Sequence, residues 1–460
     1  MSAKRAKLNL DFGHSGVRMN FAMANDFQPR YGEESDWNVG TLSFNSEEFE
    51  DFPGISQNKI NGTRIKAIAG SINRIISEWQ KETGYDFDSH IEITVSATFF
   101  DVLFFPYNIE FSEIRNITED DIRKIEKCKL SMYQIPIPDE KIKSFTSPYF
   151  IISNEMKILE PIGRKTKSLG FNAYFITKHP MLSKLLEVMK EDEESINVSL
   201  SCEKEFKALA NKEEKKGKTA LIHITDSMSE FSMWENSELK YLNKKDTGFT
   251  KLKEAIWRLC LCYHKKPELT ERDFELVQRN EYMQKFYNKI KNSAISENSR
   301  EFLSADDCSD LFELASCILE NETENSVKYS RFELPGRDKS RTKLTVSNYV
   351  LSYFTRESVR NLLFEIMQIM YNDDFCRPES IILDCSLPLK GIEELAEEVF
   401  GVPARRSCVK WAGETRLDFS SAGIGALQSL ISGEERKNNA ESRKKTTKLF
   451  SIIGSIFSRA

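Results

Sequence analysis

Two strand-end loops carry residue types that can hold a phosphate group. In the first, residues 11–16, Asp11 ends a predicted strand, and the tight turn after it contains Gly13, His14, Ser15 and Gly16. Backbone amides in such a turn can bind phosphate, and the acid can contact a phosphate-bound Mg²⁺ through water. Most turns of this composition are ordinary β-hairpins, so the motif by itself favours a structural role.

The second loop, residues 223–230, reads His-Ile-Thr-Asp-Ser-Met-Ser-Glu. The resemblance of this chain to a nucleotide-binding family implies that Asp226 and Ser227 are its candidate contacts to Mg²⁺ or phosphate. It also implies that Gly248, after the next strands, lets a backbone approach closely. His223 has the side chain of a general base, but a histidine at the end of a strand is more often structural.

The third candidate site is the segment 448–460, and its chemistry is lipid binding. On a helical wheel its apolar side chains fall in one arc about 160° wide, with serines on the other side. A short basic amphipathic helix binds the surface of an anionic membrane. The apolar and basic residues concerned are Leu449, Phe450, Ile452, Ile453, Ile456, Phe457, Lys448 and Arg459.

Residues 433–447 precede this segment and contain almost nothing apolar to bury. Their charged composition predicts a flexible linker. The alternative is that 448–460 folds back onto the globular body as a core helix. A long polar linker favours reach towards a membrane instead.

The elements around the loops follow from periodicity. Residues 7–13 and 17–22 alternate apolar and polar side chains, which predicts a strand–turn–strand hairpin. Helical spacing is clear in 63–81, 250–264 and 349–371. Strands followed by helices occur in two halves of the chain, which predicts an α/β architecture with duplicated sheets. The charged stretch 212–218 is expected to be solvated.

Composition sets further limits. A chain of 460 residues with 40% hydrophobic and 30% charged residues predicts a multi-domain globular protein. The net charge of −6 argues against a nucleic-acid partner. Nine scattered cysteines favour a reducing, cytoplasmic setting. Since no run of eighteen apolar residues occurs, we expect membrane contact from the surface only.

Several segments, in their order along the chain, resemble the FtsA family of the actin/Hsp70 superfamily. Thr118 can cap the free amides at the start of a predicted helix, and the acids after it complement the helix dipole. These residues resemble the start of a helix in that family's extra domain, called 1C. The other matching segments are 11–17 (first phosphate loop), 161–163 (exit from 1C), 332–335, 380–383 with 389–396 and 400–403 (adenosine loop), and 421–425 (last helix).

The resemblance implies an actin-like, two-lobed α/β fold with ribonuclease H-like halves, a 1C domain and a C-terminal amphipathic helix. The implied domains are 1–97 (first part of subdomain 1A), 98–178 (subdomain 1C, SHS2-like), 179–215 (return to 1A), 216–265 (2A), 266–375 (2B), 376–432 (end of 2A and return to 1A), 433–447 (linker) and 448–460 (membrane-targeting helix).

The departures from the family concern nucleotide. Where the family has glycines in its second phosphate loop, this chain has Thr225, Asp226 and Ser227, and Asp384 and Cys385 stand in the adenosine loop. Glycine lets a backbone approach phosphates, so its loss predicts that binding of ATP and Mg²⁺ is impaired or absent. In the opposite interpretation Asp11 or Asp226 still serves Mg²⁺. No catalytic residue is assigned.

The resemblance implies a bacterial cell-division protein on the cytoplasmic side of the inner membrane, at the division site. It would anchor the FtsZ ring, help to recruit other division proteins, self-associate into protofilaments and bind anionic lipid. Two alternatives stay open. One is a pilus-assembly relative under an inner-membrane complex, and the other is an ATPase or phosphotransferase of the same superfamily.

Overall fold

The computed structural model describes residues 4–13, 16–24, 37–43, 62–96, 99–133, 141–147, 149–153, 156–189, 196–265, 280–292, 315–319, 329–335, 341–372, 377–411, 414–415 and 420–432. The chain divides into two compact units. Unit 1 is Met1–Lys212 with Cys408–Ala460, and unit 2 is Glu213–Ser407.

The elements are numbered in chain order. The strands are β1 Lys4–Gly13, β2 Gly16–Ala24, β3 Trp37–Ser43, β4 Tyr85–Val95, β5 Phe100–Asn116, β6 Lys141–Thr146, β7 Phe150–Ile152, β8 Met156–Ile158, β9 Lys165–Lys178, β10 Ile196–Leu200, β11 Lys218–Ile224, β12 Ser229–Glu235, β13 Glu238–Lys245, β14 Tyr329–Pro335, β15 Arg341–Ser347, β16 Ser380–Cys385, β17 Ala404–Arg406, β18 Lys410–Trp411 and β19 Glu414–Thr415. The helices are α1 Gly62–Thr83, α2 Glu119–Tyr133, α3 Pro180–Met189, α4 Ser201–Leu209, α5 Thr250–Lys265, α6 Asn280–Lys291, α7 Asn348–Asn372, α8 Ile392–Phe400 and α9 Ser421–Ser432.

The main sheet of unit 1 has the order β10-β4-β1-β2-β3. β1, β2 and β3 pair antiparallel, whereas β4 runs parallel to β1 and β10 parallel to β4. The central strand alternates strictly. Leu8, Leu10 and Phe12 are fully buried on one face, and Asn9 and Asp11 are buried on the other. Helices α4 and α9 contact each other and the sheet.

The main sheet of unit 2 repeats this plan with the order β13-β12-β11-β16-β17. β11, β12 and β13 pair antiparallel, and β16 and β17 continue the sheet in parallel. Both sheets therefore have the ribonuclease H-like order, with a meander on one side of the first strand and parallel strands on the other. The predicted α/β fold with duplicated, ribonuclease H-like sheets is confirmed by this strand order.

Strands β5 to β9 form a separate sheet in unit 1, ordered β5-β9-β7-β8 with β6 also paired to β9. Its core contains Phe171, Phe175 and Ile125, the last from α2. Helix α2 begins with a capping box, because the Thr118 amide donates to Asp121 Oδ2 at 3.0 Å and the Asp121 amide to Thr118 Oγ1 at 3.4 Å. Thr118 was predicted as this cap. The FtsA-type domain bounds stay a prediction.

The charged stretch 212–218 was expected to be solvated, and Lys212, Glu213 and Lys216 are exposed. Glu214 is the exception, because it is buried and accepts two hydrogen bonds from the Arg405 guanidinium, at 2.7 and 2.6 Å. A bidentate hydrogen bond of this kind compensates the desolvation of the carboxylate.

In the part of the chain that the structure describes, no helix has the length and apolar character to cross a bilayer.

Candidate functional site

Asp11, the candidate Mg²⁺ contact, lies near the end of β1 and is 5% exposed. Its Oδ1 accepts hydrogen bonds from the hydroxyls of Thr94, at 2.9 Å, and Ser201, at 3.5 Å. Its Oδ2 accepts one from Ser420 at 2.6 Å. The carboxylate therefore holds together β1, β4, the start of α4 and the start of α9. Three of the roughly four acceptor sites of this carboxylate are therefore occupied by hydroxyls of the chain itself.

Ser420 has a second bond that sequence reasoning missed. Its Oγ accepts the Gly423 amide at 3.0 Å, so it is the N-cap of α9. The same hydroxyl donates to Asp11. The serine before an Ala/Gly-rich helix was the available signal, since serine is a preferred N-cap residue. The predicted turn residues Gly13 and Gly16 face each other across the hairpin, and His14 and Ser15 lie outside the described residues.

A chain of amide and hydroxyl side chains continues from this carboxylate across the sheet. Asn9 Nδ2 donates to Thr94 Oγ1 at 3.3 Å, and Asn20 Nδ2 donates to Asn9 Oδ1 at 2.9 Å. Thr41 Oγ1 donates to Asn20 Oδ1 at 3.1 Å. The bonds join β1, β2, β3 and β4 on one buried face. Buried polar groups satisfied in this way specify a single packing arrangement.

Beside this chain lies a buried ion pair. Lys204 Nζ is 3.1 Å from Glu92 Oε1, and the two side chains are 7% and 0% exposed. Glu92 also accepts from Ser199 Oγ at 2.5 Å and from Asn197 Nδ2 at 2.7 Å. The pair connects α4 to β4 and β10. Removing one partner would leave the other charge buried and uncompensated.

The second candidate loop is a tight turn closed by its own side chain. The Thr225 amide donates to the Met228 carbonyl at 2.9 Å, and the Met228 amide donates back to Thr225 Oγ1 at 3.2 Å. The Thr225 hydroxyl donates in turn to the Met228 carbonyl at 3.0 Å. The hydroxyl thus occupies an amide that a phosphate-binding loop would present to its ligand.

Asp226 and Gly248 lie next to this turn. The exposed Asp226 carboxylate pairs with Lys253 Nζ at 2.5 Å, and its carbonyl accepts the Thr250 amide at 2.7 Å. A Cβ on Gly248 would lie 2.0 Å from the Thr225 carbonyl oxygen. Gly248 is therefore required by the close approach of the α5 start to the turn, and the structure places it with Asp226 and Ser227.

The ends of three parallel strands of unit 2 carry a histidine–aspartate pair. His223 on β11 lies opposite Asp384 on β16, with Nδ1 3.4 Å from Oδ2. Ser407, after β17, donates to Asp384 Oδ1 at 2.7 Å. The structural role of His223 stays a prediction, because a carboxylate partner also orients a histidine that acts as a base. Asp384 is the residue that holds the three strand ends together.

The thiols near these loops are poor nucleophiles. Burial raises the pKa of the Cys317 thiol to about 12, and burial also raises the pKa of Cys385. Since the thiolate is the reactive form, neither side chain is activated for covalent chemistry at neutral pH. The described loops offer hydrogen bonds that fix strand ends.

The residues predicted to bind a membrane lie outside the described residues. They are Leu449, Phe450, Ile452, Ile453, Ile456, Phe457, Lys448 and Arg459.

No protein-family model and no curated protein sequence matches this chain. Among solved structures the chain is similar to MreB5 of Spiroplasma citri bound to ADP, at 8% identity and a TM-score of 0.43, covering 95% of this chain and 98% of that one. It is similar to a non-polymerising MamK mutant bound to AMPPNP, at 9% identity and a TM-score of 0.44, covering 93% of this chain and 98% of that one. It is also similar to the PilM–PilN type IV pilus biogenesis complex, at 12% identity and a TM-score of 0.42, covering 93% of this chain and 98% of that one. At these scores the fold assignment stands on the strand order of the two main sheets.

Proposed function

We propose that this chain is a membrane-tethered scaffold of the FtsA type. It holds FtsZ filaments at the inner face of the cytoplasmic membrane at the division site and helps to recruit further division proteins. The observation that carries the proposal is the basic amphipathic segment 448–460 behind the polar linker 433–447. The linker follows α9, so the anchor is attached to unit 1.

The strand-end loops support a scaffold over an ATPase. Thr225 occupies the amide of Met228, and the Asp11 carboxylate is engaged by three hydroxyls. These residues do not fit a Mg²⁺–nucleotide cradle, whose backbone amides and acid must face the ligand. We therefore assign the chain no catalytic step, and ATP with Mg²⁺ binds poorly or not at all.

The body supplies the protein contacts of such a scaffold. Self-association into protofilaments places many anchors on one membrane, and weak anchors gain avidity when they are linked. FtsZ binds residues 266–375, the segment that corresponds to subdomain 2B. A pilus-assembly relative is not expected to carry an amphipathic anchor. Segment 448–460 therefore favours the division role over the pilus-assembly role.

The test is co-sedimentation of the purified chain with phosphatidylglycerol-containing vesicles, with and without FtsZ. We expect the chain to pellet with vesicles and to bring FtsZ with it. The variant with Phe450→Glu and Ile453→Glu should lose at least about tenfold in vesicle affinity, because each buried apolar side chain contributes roughly 1.5–3 kcal/mol.

The matched control is Ser451→Glu with Ser455→Glu, which adds the same two charges on the polar side of the segment. Its vesicle affinity should exceed that of the first variant. Both variants should keep the melting transition of the body. Equal losses in the two variants, or a collapsed transition in the first, would refute an amphipathic tether. Vesicle binding without FtsZ recruitment would refute the division role.

A further inference from the structure

Three large aliphatic side chains are exposed on one short segment of the smaller sheet of unit 1. Met156 on β8 is 59% exposed, and Leu159 and Ile162, in the connection from β8 to β9, are 56% and 58% exposed. They occupy every third position of the segment 156–162, which we call the apolar loop. Single exposed apolar residues are normal, but three in one short segment indicate a surface that binds something.

The apolar loop is ordered by backbone hydrogen bonds. The Gly163 amide donates to the Ile117 carbonyl at 2.9 Å, and the Ile117 amide donates to the Arg164 carbonyl at 3.0 Å. The Arg164 amide donates to the Pro161 carbonyl at 3.0 Å, which closes a turn. Because this backbone is already fixed, burying the side chains of the loop against a partner costs little further conformational entropy.

The residues that face the core show how the loop presents its apolar side chains. Ile158 packs against the core cluster that contains Ile125 of α2, and Pro161 is buried three residues later. Leu159 and Ile162 each follow one of these core-facing residues by one position. They therefore occupy equivalent positions in the loop and lie on its solvent side. The loop begins on β8, the last strand in the order of this sheet.

Basic side chains accompany the apolar loop. One cation lies within it, and three exposed cations follow it directly, on the way into β9 and in its first turn of residues. They are Lys157, Arg164, Lys165 and Lys167. Glu160 is the one acid in the sequence 156–167. Near an anionic lipid surface each Lys or Arg raises affinity by about fivefold.

The other acids of this sheet do not remove the excess of positive charge beside the loop. Those at the start of α2 are paired with arginines. They are Glu119 and Asp120, with Arg123, and Asp121, with Arg115. The exposed acids Glu110 and Glu113 belong to β5, which is the opposite edge of the sheet from β8. Glu155, before β8, lies outside the described residues.

The composition of the segment favours a lipid surface over a protein partner. Protein interfaces are enriched in aromatic residues and depleted of lysine. Residues 156–167 contain three lysines and no aromatic residue. Aliphatic side chains can enter the boundary of the acyl chains, while long basic side chains extend to the lipid headgroups.

From these observations we propose that the apolar loop inserts into the surface of an anionic membrane, with Arg164, Lys165 and Lys167 at the headgroups. The inference rests on the membrane role proposed above and adds an orientation to it. A flexible tether alone leaves the body free to rotate, whereas a contact on the body determines which face of unit 1 is turned to the lipid. Two linked weak contacts also bind more tightly than either contact alone.

The first test measures insertion directly. Ile162→Trp places an indole in the loop, and phosphatidylglycerol vesicles with brominated acyl chains should quench its fluorescence. The unaltered chain, with its five tryptophans, gives the background. The control is Phe104→Trp, at a side chain that is 52% exposed on β5, and it should show no quenching beyond the background. Equal quenching in the two variants would overturn the proposal.

The same variant distinguishes lipid from an acidic protein. Emission of Ile162→Trp that shifts with polyglutamate but is not quenched by the brominated vesicles would assign the loop to an acidic partner, and would overturn the membrane contact.

The second test separates the loop from the segment 448–460. In the variant with Phe450→Glu and Ile453→Glu, weak binding to phosphatidylglycerol vesicles should remain. Adding Leu159→Ser with Ile162→Ser should lower this remaining affinity by at least about tenfold. Adding Leu103→Ser with Phe104→Ser instead, on β5, should leave it unchanged. Circular dichroism and melting curves establish that all variants are folded.

The outcomes for the loop and the tether are distinguishable. No remaining vesicle binding in the variant with Phe450→Glu and Ile453→Glu would overturn the loop contact and leave the tether in place, as would equal losses in the loop and β5 variants. If Phe450→Glu with Ile453→Glu binds vesicles as tightly as the unaltered chain, and the loop substitutions alone abolish binding, the tether proposal fails and the loop contact stands.

Discussion

At the residue scale, single polar side chains fix the strand ends of both main sheets. Asp11 receives hydroxyls from three separate elements, and Asp384 is bonded to Ser407 and lies against His223. Both carboxylates lie in loops for which the sequence resemblance predicts nucleotide contacts. Replacing the side chains that close these loops should therefore change the affinity of the chain for ATP with Mg²⁺.

Glycine substitutions in the loop 223–230 and at the end of β16 should create affinity for ATP with Mg²⁺. The substitutions are Thr225→Gly, Asp226→Gly, Ser227→Gly, Asp384→Gly and Cys385→Gly. They open the turn and remove two carboxylates that repel phosphate, so we expect at least about a tenfold gain by calorimetry, or about 1.4 kcal/mol.

The matched control is Asn236→Gly with Ser237→Gly, in the β12–β13 turn, where both residues already have positive φ (53° and 63°). It should leave ATP affinity unchanged. Tight ATP binding by the unaltered chain, or the same gain in the control, would contradict the prediction.

Ser420→Ala should destabilise unit 1. The change removes both the N-cap of α9 and a hydrogen bond to the buried Asp11 carboxylate, which together contribute roughly 1–3 kcal/mol. Urea unfolding measures the loss. Ser432→Ala, at the other end of the same helix, removes one weaker bond to the Ser429 carbonyl at 3.2 Å and should cost less. Equal costs would mean that the cap and the carboxylate bond contribute little.

At the element scale, helix termini and close helix approaches carry the stability of unit 1. Asp121 closes the capping box of α2 and receives the Arg115 guanidinium, which together lower its pKa despite burial. α9 approaches α4 and the sheet through small residues. A Cβ at Gly425 would lie 2.0 Å from the Lys204 carbonyl oxygen, and one at Gly423 2.5 Å from Asn20 Nδ2.

The lowered pKa of Asp121 predicts a pH dependence. Its contribution is fully present above the unfolded-state pKa of about 4 and is lost as pH falls through the lower folded-state pKa. Asp121→Asn should therefore reduce the unfolding free energy by about 1–3 kcal/mol at pH 7, and the difference from the unaltered chain should shrink below about pH 4.

Asp120→Asn, beside it, is the control, since that side chain is 80% exposed and makes one surface pair with Arg123. Its effect should stay below about 0.5 kcal/mol. A constant Asp121→Asn deficit from pH 7 to pH 3 would rule out the ionic origin.

Gly425→Ala tests the helix contact. The added methyl meets backbone that cannot rotate away, so we expect a loss of about 2–3 kcal/mol in urea unfolding. Gly70→Ala in α1 is the opposite case, because a Cβ there has no neighbour within 4 Å. It should stabilise by about 0.5–1 kcal/mol through helix propensity. A Gly425→Ala protein as stable as the unaltered chain would show that α9 is free to shift.

At the scale of the whole molecule, the proposed function makes the segment 448–460 the part that locates a body with two similar sheets. The membrane binding proposed for this segment has an apolar and an electrostatic part. Raising salt from 0.1 to 1 M shortens the Debye length from about 10 to about 3 Å. Affinity for anionic vesicles should fall accordingly, with little effect on neutral ones.

Lys448→Gln with Arg459→Gln should weaken binding to anionic vesicles by about 2 kcal/mol and flatten this salt dependence. Lys285→Gln with Lys289→Gln on α6 removes two exposed charges from the body and should change neither quantity. The reverse ranking in a vesicle titration would place the membrane-binding charge on the body.

The sequence by itself predicted the first hairpin, the helices 63–81, 250–264 and 349–371, and the duplication, because alternation and helical spacing are local properties of the chain. It also identified Thr118 as a cap, since the capping box spans four residues. It could not determine what the candidate acids bind. The partners of Asp11 lie 83, 190 and 409 residues away, and those of Glu92 lie 105 and 107 residues away. Only the tertiary structure decided that a carboxylate predicted to serve Mg²⁺ joins four elements, that Glu214 is buried against Arg405, and that β5 presents an apolar edge. Such contacts depend on which faces of distant elements meet, and the spacing of residues along the chain does not determine which faces meet.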